Sequence, residues 1–254
     1  MLKQFLTRKL KRTPLWLLLR SREKISRMHI IQRCIDVLRA NTYLEIGVSH
    51  GECFASIQAP NKIGVDPIAP APLVVQELGR PGVCYFRGTS DSFFEAAAPE
   101  ALINGVDVVF IDGLHTFAQA YRDCVHAVRF LNPGGIILFH DCLPESVVQG
   151  TPAGSYEEVR TRLKESGVAW DGMWTGDVWK AVVALRRHPD LETLVLDCDC
   201  GIGLVQRRTG GTRLKFSDTD IEAMKFADLA ASTKNLLGLR RPAYLERILA
   251  SRRR

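Results

Sequence analysis

The sequence has no apolar run approaching the roughly 20 residues that a bilayer-spanning helix requires. PLWLLL at 14–19 is too short for a signal-peptide core, and no small-residue cleavage site follows it. A cytoplasmic location is therefore expected. Paired cysteines are also lacking. The seven cysteines, at 34, 53, 84, 124, 142, 198 and 200, are scattered and mostly lie in apolar runs. That pattern argues against a disulfide framework. Cys198-Asp199-Cys200 has no second Cys or His pair at ligand spacing, so it does not make a zinc motif. Net positive charge is lacking between the ends of the chain. Residues 1–29 hold nine Lys/Arg against Glu23 alone, and the other 225 residues sum to −2, although the whole chain is +6. A basic arm on a near-neutral body does not imply a nucleic-acid partner for the body. There is no internal repeat and no low-complexity linker.

What is present is alternation. Apolar runs at 42–48, 62–68, 83–88, 107–113 and 136–142 read as strands. Between them, 51–59, 72–78, 90–102 and 116–131 read as helices, with Ser90 or Asp91 expected to cap the third. Continuous apolar strands separated by helices imply a mostly parallel sheet covered on both faces. Further on, 178–187, 191–197 and 203–208 are expected to be strands, the last two too close together for a crossover helix and so antiparallel at one edge. Helices are expected at 26–42 and 155–166, and at 217–236 and the basic C-terminus. In the first 20 residues, Leu2, Phe5, Leu6 and Leu10 share one helical face among Lys and Arg, which suits an anionic membrane surface or a partner helix.

In an open parallel sheet, ligands sit where the carboxyl ends of the strands meet the loops. The first strand ends in LEIGVSHGECF. Glu45 precedes Gly47, which allows a tight turn, and Gly51 opens the next helix. The second strand ends on Asp66, an acid able to accept both hydroxyls of a ribose. Ser49 stands where a dinucleotide fingerprint needs its second glycine, and the third is absent. Two further strands end on FIDGLH (110–115) and LNPGGIILFHDC (131–142). If they are neighbours, Asp112 and Asp141 enter one crevice together with His115. Two close carboxylates call for a cation or a shared proton.

GVDP at 64–67, IDG-x-H and PGG followed by HD resemble the class I S-adenosylmethionine-dependent methyltransferases, and within them a small-molecule O-methyltransferase family. WTGDVWKAVVAL at 174–185 looks like that family too. The resemblance covers roughly residues 30–208. It implies a Rossmann-like doubly wound α/β fold, with a mostly parallel seven-stranded sheet, an antiparallel edge strand and helical extensions at both ends. The implied division is a basic arm at 1–29, the methyltransferase domain at 30–208 and a helical extension at 209–254.

The roles that the resemblance implies fall along the strand ends. Glu45, Gly47, Gly51 and Asp66 would hold S-adenosylmethionine, Gly88, Thr89, Ser90 and Asp91 would flank its adenine, and Asp112 would lie beside it. As in metal-dependent catechol-type enzymes, Asp112 and Asp141 would be Mg²⁺ ligands and His115 the general base. Cys142 stands where those enzymes have Asn. His140, Asp177 and Trp179, with Trp174, are candidates for substrate contact, the tryptophans by stacking on a sugar ring. The expected acceptor is a hydroxyl of a small molecule: a saccharide, glycolipid or natural product. A homodimer and peripheral membrane contact through 1–29 are further expectations, and no nucleic-acid motif is found. Two other readings stay open. One is a nucleotide-dependent oxidoreductase. The other is a non-catalytic scaffold anchored by the basic arm.

Overall fold

A computed structural model describes residues 25–209 and 213–251. The arm expected over 1–29 therefore lies, through residue 24, outside the described residues. Helix α1 (Arg27–Leu38) opens on Ser26, whose side chain accepts from the His29 N–H, and ends on Arg39 in the left-handed conformation. The chain then alternates through β1 (Thr42–Ile46), α2 (Glu52–Ser56), β2 (Asn61–Asp66), α3 (Pro72–Glu77) and β3 (Val83–Arg87). Helix α4 (Ser90–Ser92) passes through a π-helical turn (Phe93–Ala97) into α5 (Ala98–Ala101). The cap here is Thr89, which accepts from the Ser92 N–H, rather than Ser90 or Asp91. Next come β4 (Val106–Ile111), α6 (Phe117–Phe130), β5 (Leu131–Phe139) and α7 (Tyr156–Glu165).

The segment expected to be a strand at 178–187 is a helix, α8 (Trp179–Leu185). All seven of its residues are buried, so it is apolar all round except for Lys180. A helix with no solvent face loses the 3.6-residue alternation of polar and apolar positions, and its Val and Trp content then imitates a buried strand. Two antiparallel edge strands follow, β6 (Leu191–Leu196) and β7 (Ile202–Arg207). The polar helix expected at 217–236 is two helices, α9 (Asp218–Ala223) and α10 (Phe226–Leu237), and α11 (Tyr244–Ala250) closes the described chain.

The sheet has seven strands in the order β3-β2-β1-β4-β5-β7-β6. β1 to β5 pair in parallel, while β7 runs antiparallel to both β5 and β6. Alternate residues of each strand feed two apolar layers. Leu44, Val109 and Ile137 pack under α6, α8 and α10. Tyr43, Val108 and Ile136 pack under α1, α2 and α11. Strand order reverses at β1 and β4, and the crevice outside their carboxyl ends is where such sheets bind ligands.

Candidate active site

That crevice holds a cavity of about 760 Å³. The ladder hydrogen bonds run on past the strand ends and fix its floor. Gly47 N–H donates to Val65 O, Asp112 N–H to Ile46 O and His140 N–H to Ile111 O. Gly47 has φ +86°, and a Cβ there would stand 2.1 Å from the Asp112 carbonyl oxygen. Only glycine fits a turn pressed so closely on the neighbouring strand's exit. Gly51, at φ +83°, is also confined, with a Cβ 2.4 Å from the Val74 side chain.

Asp66 holds this turn in shape. Its Oδ2 accepts from Ser49 N–H at 2.9 Å and its Oδ1 from Ile68 N–H at 2.9 Å. An ionised carboxylate keeps further acceptor capacity beyond these two bonds. Glu45 is 1% exposed, and the Tyr43 hydroxyl donates to its Oε2 at 2.5 Å. Burial pushes its carboxyl up to about 8 against the pull of that hydrogen bond, so Glu45 is mainly neutral at pH 7. Gly88, Thr89, Ser90 and Asp91, after β3, also line the cavity. Gln119 on α6 ties them down, donating to Ser90 Oγ at 3.1 Å, Asp91 Oδ1 at 3.2 Å and Asp123 Oδ1 at 2.9 Å.

At the other end, β4 and β5 bring four side chains together. His115 Nε2 lies 3.5 Å from Asp112 Oδ1 and 3.2 Å from Asp141 Oδ2. His140 Nδ1 lies 3.3 Å from Asp112 Oδ1 and 3.2 Å from Asp141 Oδ1. Burial disfavours the Asp112 carboxylate, but His140 and His115 more than reverse this and hold it well below the usual range. Burial likewise opposes the His115 cation, while Asp112 and Asp141 raise its pKa above the ordinary 6.5. His140 is raised further, its burial overcome mainly by Asp141 and Asp112. His115 Nδ1 lies 2.9 Å from the Trp174 carbonyl oxygen. Donation there fixes the tautomer and aims Nε2 at the two acids. Asp141 sits at φ +59°, a left-handed conformation that Asp tolerates better than most residues.

Two expected substrate residues are elsewhere. Trp179 is 2% exposed in the core beneath α10 and does not line the cavity, because the helical turn of α8 points it inward. Asp177 does not line the cavity either. It accepts from the Phe117 N–H at 2.7 Å, supporting the start of α6, and pairs with Lys180. Cys142 also turns away. Its buried thiol lies against the Phe139 and His140 carbonyls. Trp174 does reach the cavity, its ring 5.1 Å from that of His115 and 6.5 Å from that of Tyr156.

The sequence reading missed Arg27, Gln119, Asp123 and Tyr156. Arg27 is the most consequential. It sits in the first turn of α1, yet its Nη1 lies 2.9 Å from His140 Nε2 and its backbone N–H donates to Asp199. One local signal existed: a cation in a first helical turn opposes the helix dipole, where an acid would be favoured.

The segment from β1 to just past β5, residues 44–142, matches the family model described as a methyltransferase domain. The matched segment contains the four strand-end motifs and, within them, the glycine turn, Asp66, Asp112, His115 and Asp141. The structure of the chain is similar to that of a Klebsiella pneumoniae protein provisionally described as an O-methyltransferase. The TM-score is 0.52 at 17% identity, over 72% of this chain and 80% of that one. An O-methyltransferase from Bacillus cereus in complex with S-adenosylhomocysteine gives a TM-score of 0.47 at 14% identity, over 70% and 79% of the two chains. An uncharacterized protein of Acanthamoeba polyphaga mimivirus is 29% identical over 128 residues, 44% of this chain. The match spans 58% of that relative's length.

Proposed function

We propose that the chain is an S-adenosylmethionine-dependent O-methyltransferase acting on a hydroxyl of a small molecule. The observation that carries this reading is the layout of the cavity. A glycine turn with Asp66 stands at one end, and a histidine between two carboxylates stands at the other. When bound, S-adenosylmethionine supplies an electrophilic methyl group on sulfur. Asp66 accepts hydrogen bonds from the ribose hydroxyls, and the turn at Gly47 lies under the chain that joins ribose to sulfur. Gly88 to Asp91 flank the adenine. His115 takes the acceptor's proton at Nε2, and Asp112 and Asp141 stabilise the imidazolium that forms. Positioning supplies most of the remaining acceleration.

The donor set fits a divalent cation. Asp112, His115 and Asp141 offer ligand atoms all within 4.8 Å of one another, two of them hard carboxylate oxygens. Asp112 and Asp141 would hold Mg²⁺, which would orient the acceptor hydroxyl and lower its pKa. The Cys142 thiol takes no part. For the acceptor we favour a saccharide, because Tyr156, Met173 and Trp174 form an aromatic and apolar rim beside His115.

Calorimetric titration with S-adenosylhomocysteine, with NAD as comparison, tests the cofactor class. Micromolar binding of S-adenosylhomocysteine alone is expected, and binding of NAD instead would move the chain to the oxidoreductases. With an acceptor in hand, His115→Ala should lower kcat by about 10²- to 10⁴-fold while leaving S-adenosylhomocysteine affinity unchanged. Activity that survives chelation undiminished would remove Mg²⁺ and leave the two acids as partners of His115 and His140.

A further inference from the structure

Among the described residues that line the cavity, Arg27 supplies the only Lys or Arg side chain. The same wall carries seven acids: Glu45, Glu52, Asp66, Asp91, Asp112, Asp123 and Asp141. Its guanidinium is only partly used. Nη1 meets His140 Nε2 at 2.9 Å and Asp199 Oδ1 at 3.8 Å. Nε is buried and, among the described residues, has no hydrogen-bond acceptor. Asp112 Oδ2 stands 4.0 Å from it, beyond hydrogen-bond reach. A buried donor without an acceptor is uncommon enough to require an explanation, and a missing ligand is one. The side chain keeps 30% exposure and its position on the cavity wall.

We infer that the part of the Arg27 guanidinium left exposed on the cavity wall binds the α-carboxylate at the amino-acid end of the S-adenosyl cofactor. The inference rests on the cofactor reading above. A guanidinium edge presents two parallel N–H groups that match a carboxylate in geometry and charge. The carboxylate is the cofactor's sole anionic group, and Arg27 is the fixed positive charge on the wall. Position supports the match. Asp66, at the end of β2, marks the ribose, and the turn at Gly47 presses on the Asp112 backbone. Arg27 lies past that turn, on the Asp112 side, and so at the far end of a cofactor laid across β1. Arg27 also arrives on α1, on the same face of the sheet as α2 and the glycine turn. His115 precedes α6 on the opposite face, with Trp174 beside it, which leaves that side to the acceptor. Glu45, mainly neutral at pH 7, does not repel the incoming anion.

The test compares S-adenosylhomocysteine with its decarboxylated analogue, S-adenosyl-3-thiopropylamine, by calorimetry on wild type, Arg27→Gln and Arg27→Lys. Wild type should prefer the carboxylate ligand by about 10- to 100-fold, the span expected of charge-assisted hydrogen bonds. Arg27→Gln should bring the two affinities close together by weakening S-adenosylhomocysteine alone. Arg27→Lys, which keeps the charge but loses the fork, should fall between. Unchanged binding of the decarboxylated ligand to Arg27→Gln would show that the cavity is intact. An unchanged preference in Arg27→Gln would overturn the inference and leave the cofactor reading standing. Equal loss of both ligands would overturn it too and make Arg27 a support of His140 and Asp199. If wild type bound neither ligand, the cofactor reading would fall, and this inference with it.

Discussion

Glu45 shows how much a single buried acid weighs on this fold. Its carboxyl titrates near 8 in the folded chain, against an ordinary 4.5, with desolvation as the main cause. An acid with a raised folded pKa binds its proton more tightly in the native state. Its contribution to stability is therefore full below about pH 4.5 and is lost as pH rises toward 8. Within that window the slope approaches about 1.4 kcal/mol per pH unit, the limit for one proton. Glu45→Gln keeps an oxygen to accept from Tyr43 and cannot ionise. Urea melts from pH 5 to 8 should show wild type losing stability relative to this variant. Parallel pH profiles would mean that Glu45 is ionised in the fold and that its partners compensate its burial.

At the scale of elements, the parallel half was legible because each strand there is a continuous apolar run closed by a chemically distinct residue. Asp66, Asp112 and Asp141 stand at the ends of such runs, and parallel pairing of the strands brings those ends to one edge of the sheet. Helix α8 was not legible, because burial on every side erases the period that identifies a helix. Arg27 was not legible as a site residue either. Its partner Asp199 is 172 positions away, a distance that only the tertiary fold closes. Lys62 is a similar case. It stands in the apolar run read as the second strand and is fully buried. Its ammonium donates to Phe54 O, Ile57 O and Glu77 Oε2 at 2.7, 2.9 and 2.5 Å. It thus anchors the end of α2, the helix that the glycine turn leads into. Lys62→Met would strand two carbonyls and leave Glu77 only Arg80. A loss of about 2–3 kcal/mol in urea unfolding is expected. A loss below about 0.5 kcal/mol would show that water replaces the ammonium freely.

At the scale of the whole molecule, segments outside residues 44–142 wrap the sheet among the described residues. α9 and α10 cover α8, burying Ile221, Leu229 and Leu237. α11 packs on α1 through Leu245, Ile248 and Leu249, and Arg33 holds Glu246 with two hydrogen bonds of 2.8 Å. The last described helix therefore supports the helix that carries Arg27, far from it in sequence. Removing residues 242–254 would expose the outer side of α1 without touching β1 or β4, whose pairing lies beneath. Stability is not uniform across a fold, and an element stripped of half its packing opens ahead of the rest. Hydrogen exchange on the shortened chain should show faster exchange over 27–38, with the amides of β1 and β4 still protected. Affinity for S-adenosylhomocysteine should fall in step, because Arg27 moves with α1. If β1 and β4 lost protection together with α1, the sheet and its wrapping would open as one unit. If 27–38 stayed protected, the sheet alone would suffice to hold Arg27 in place.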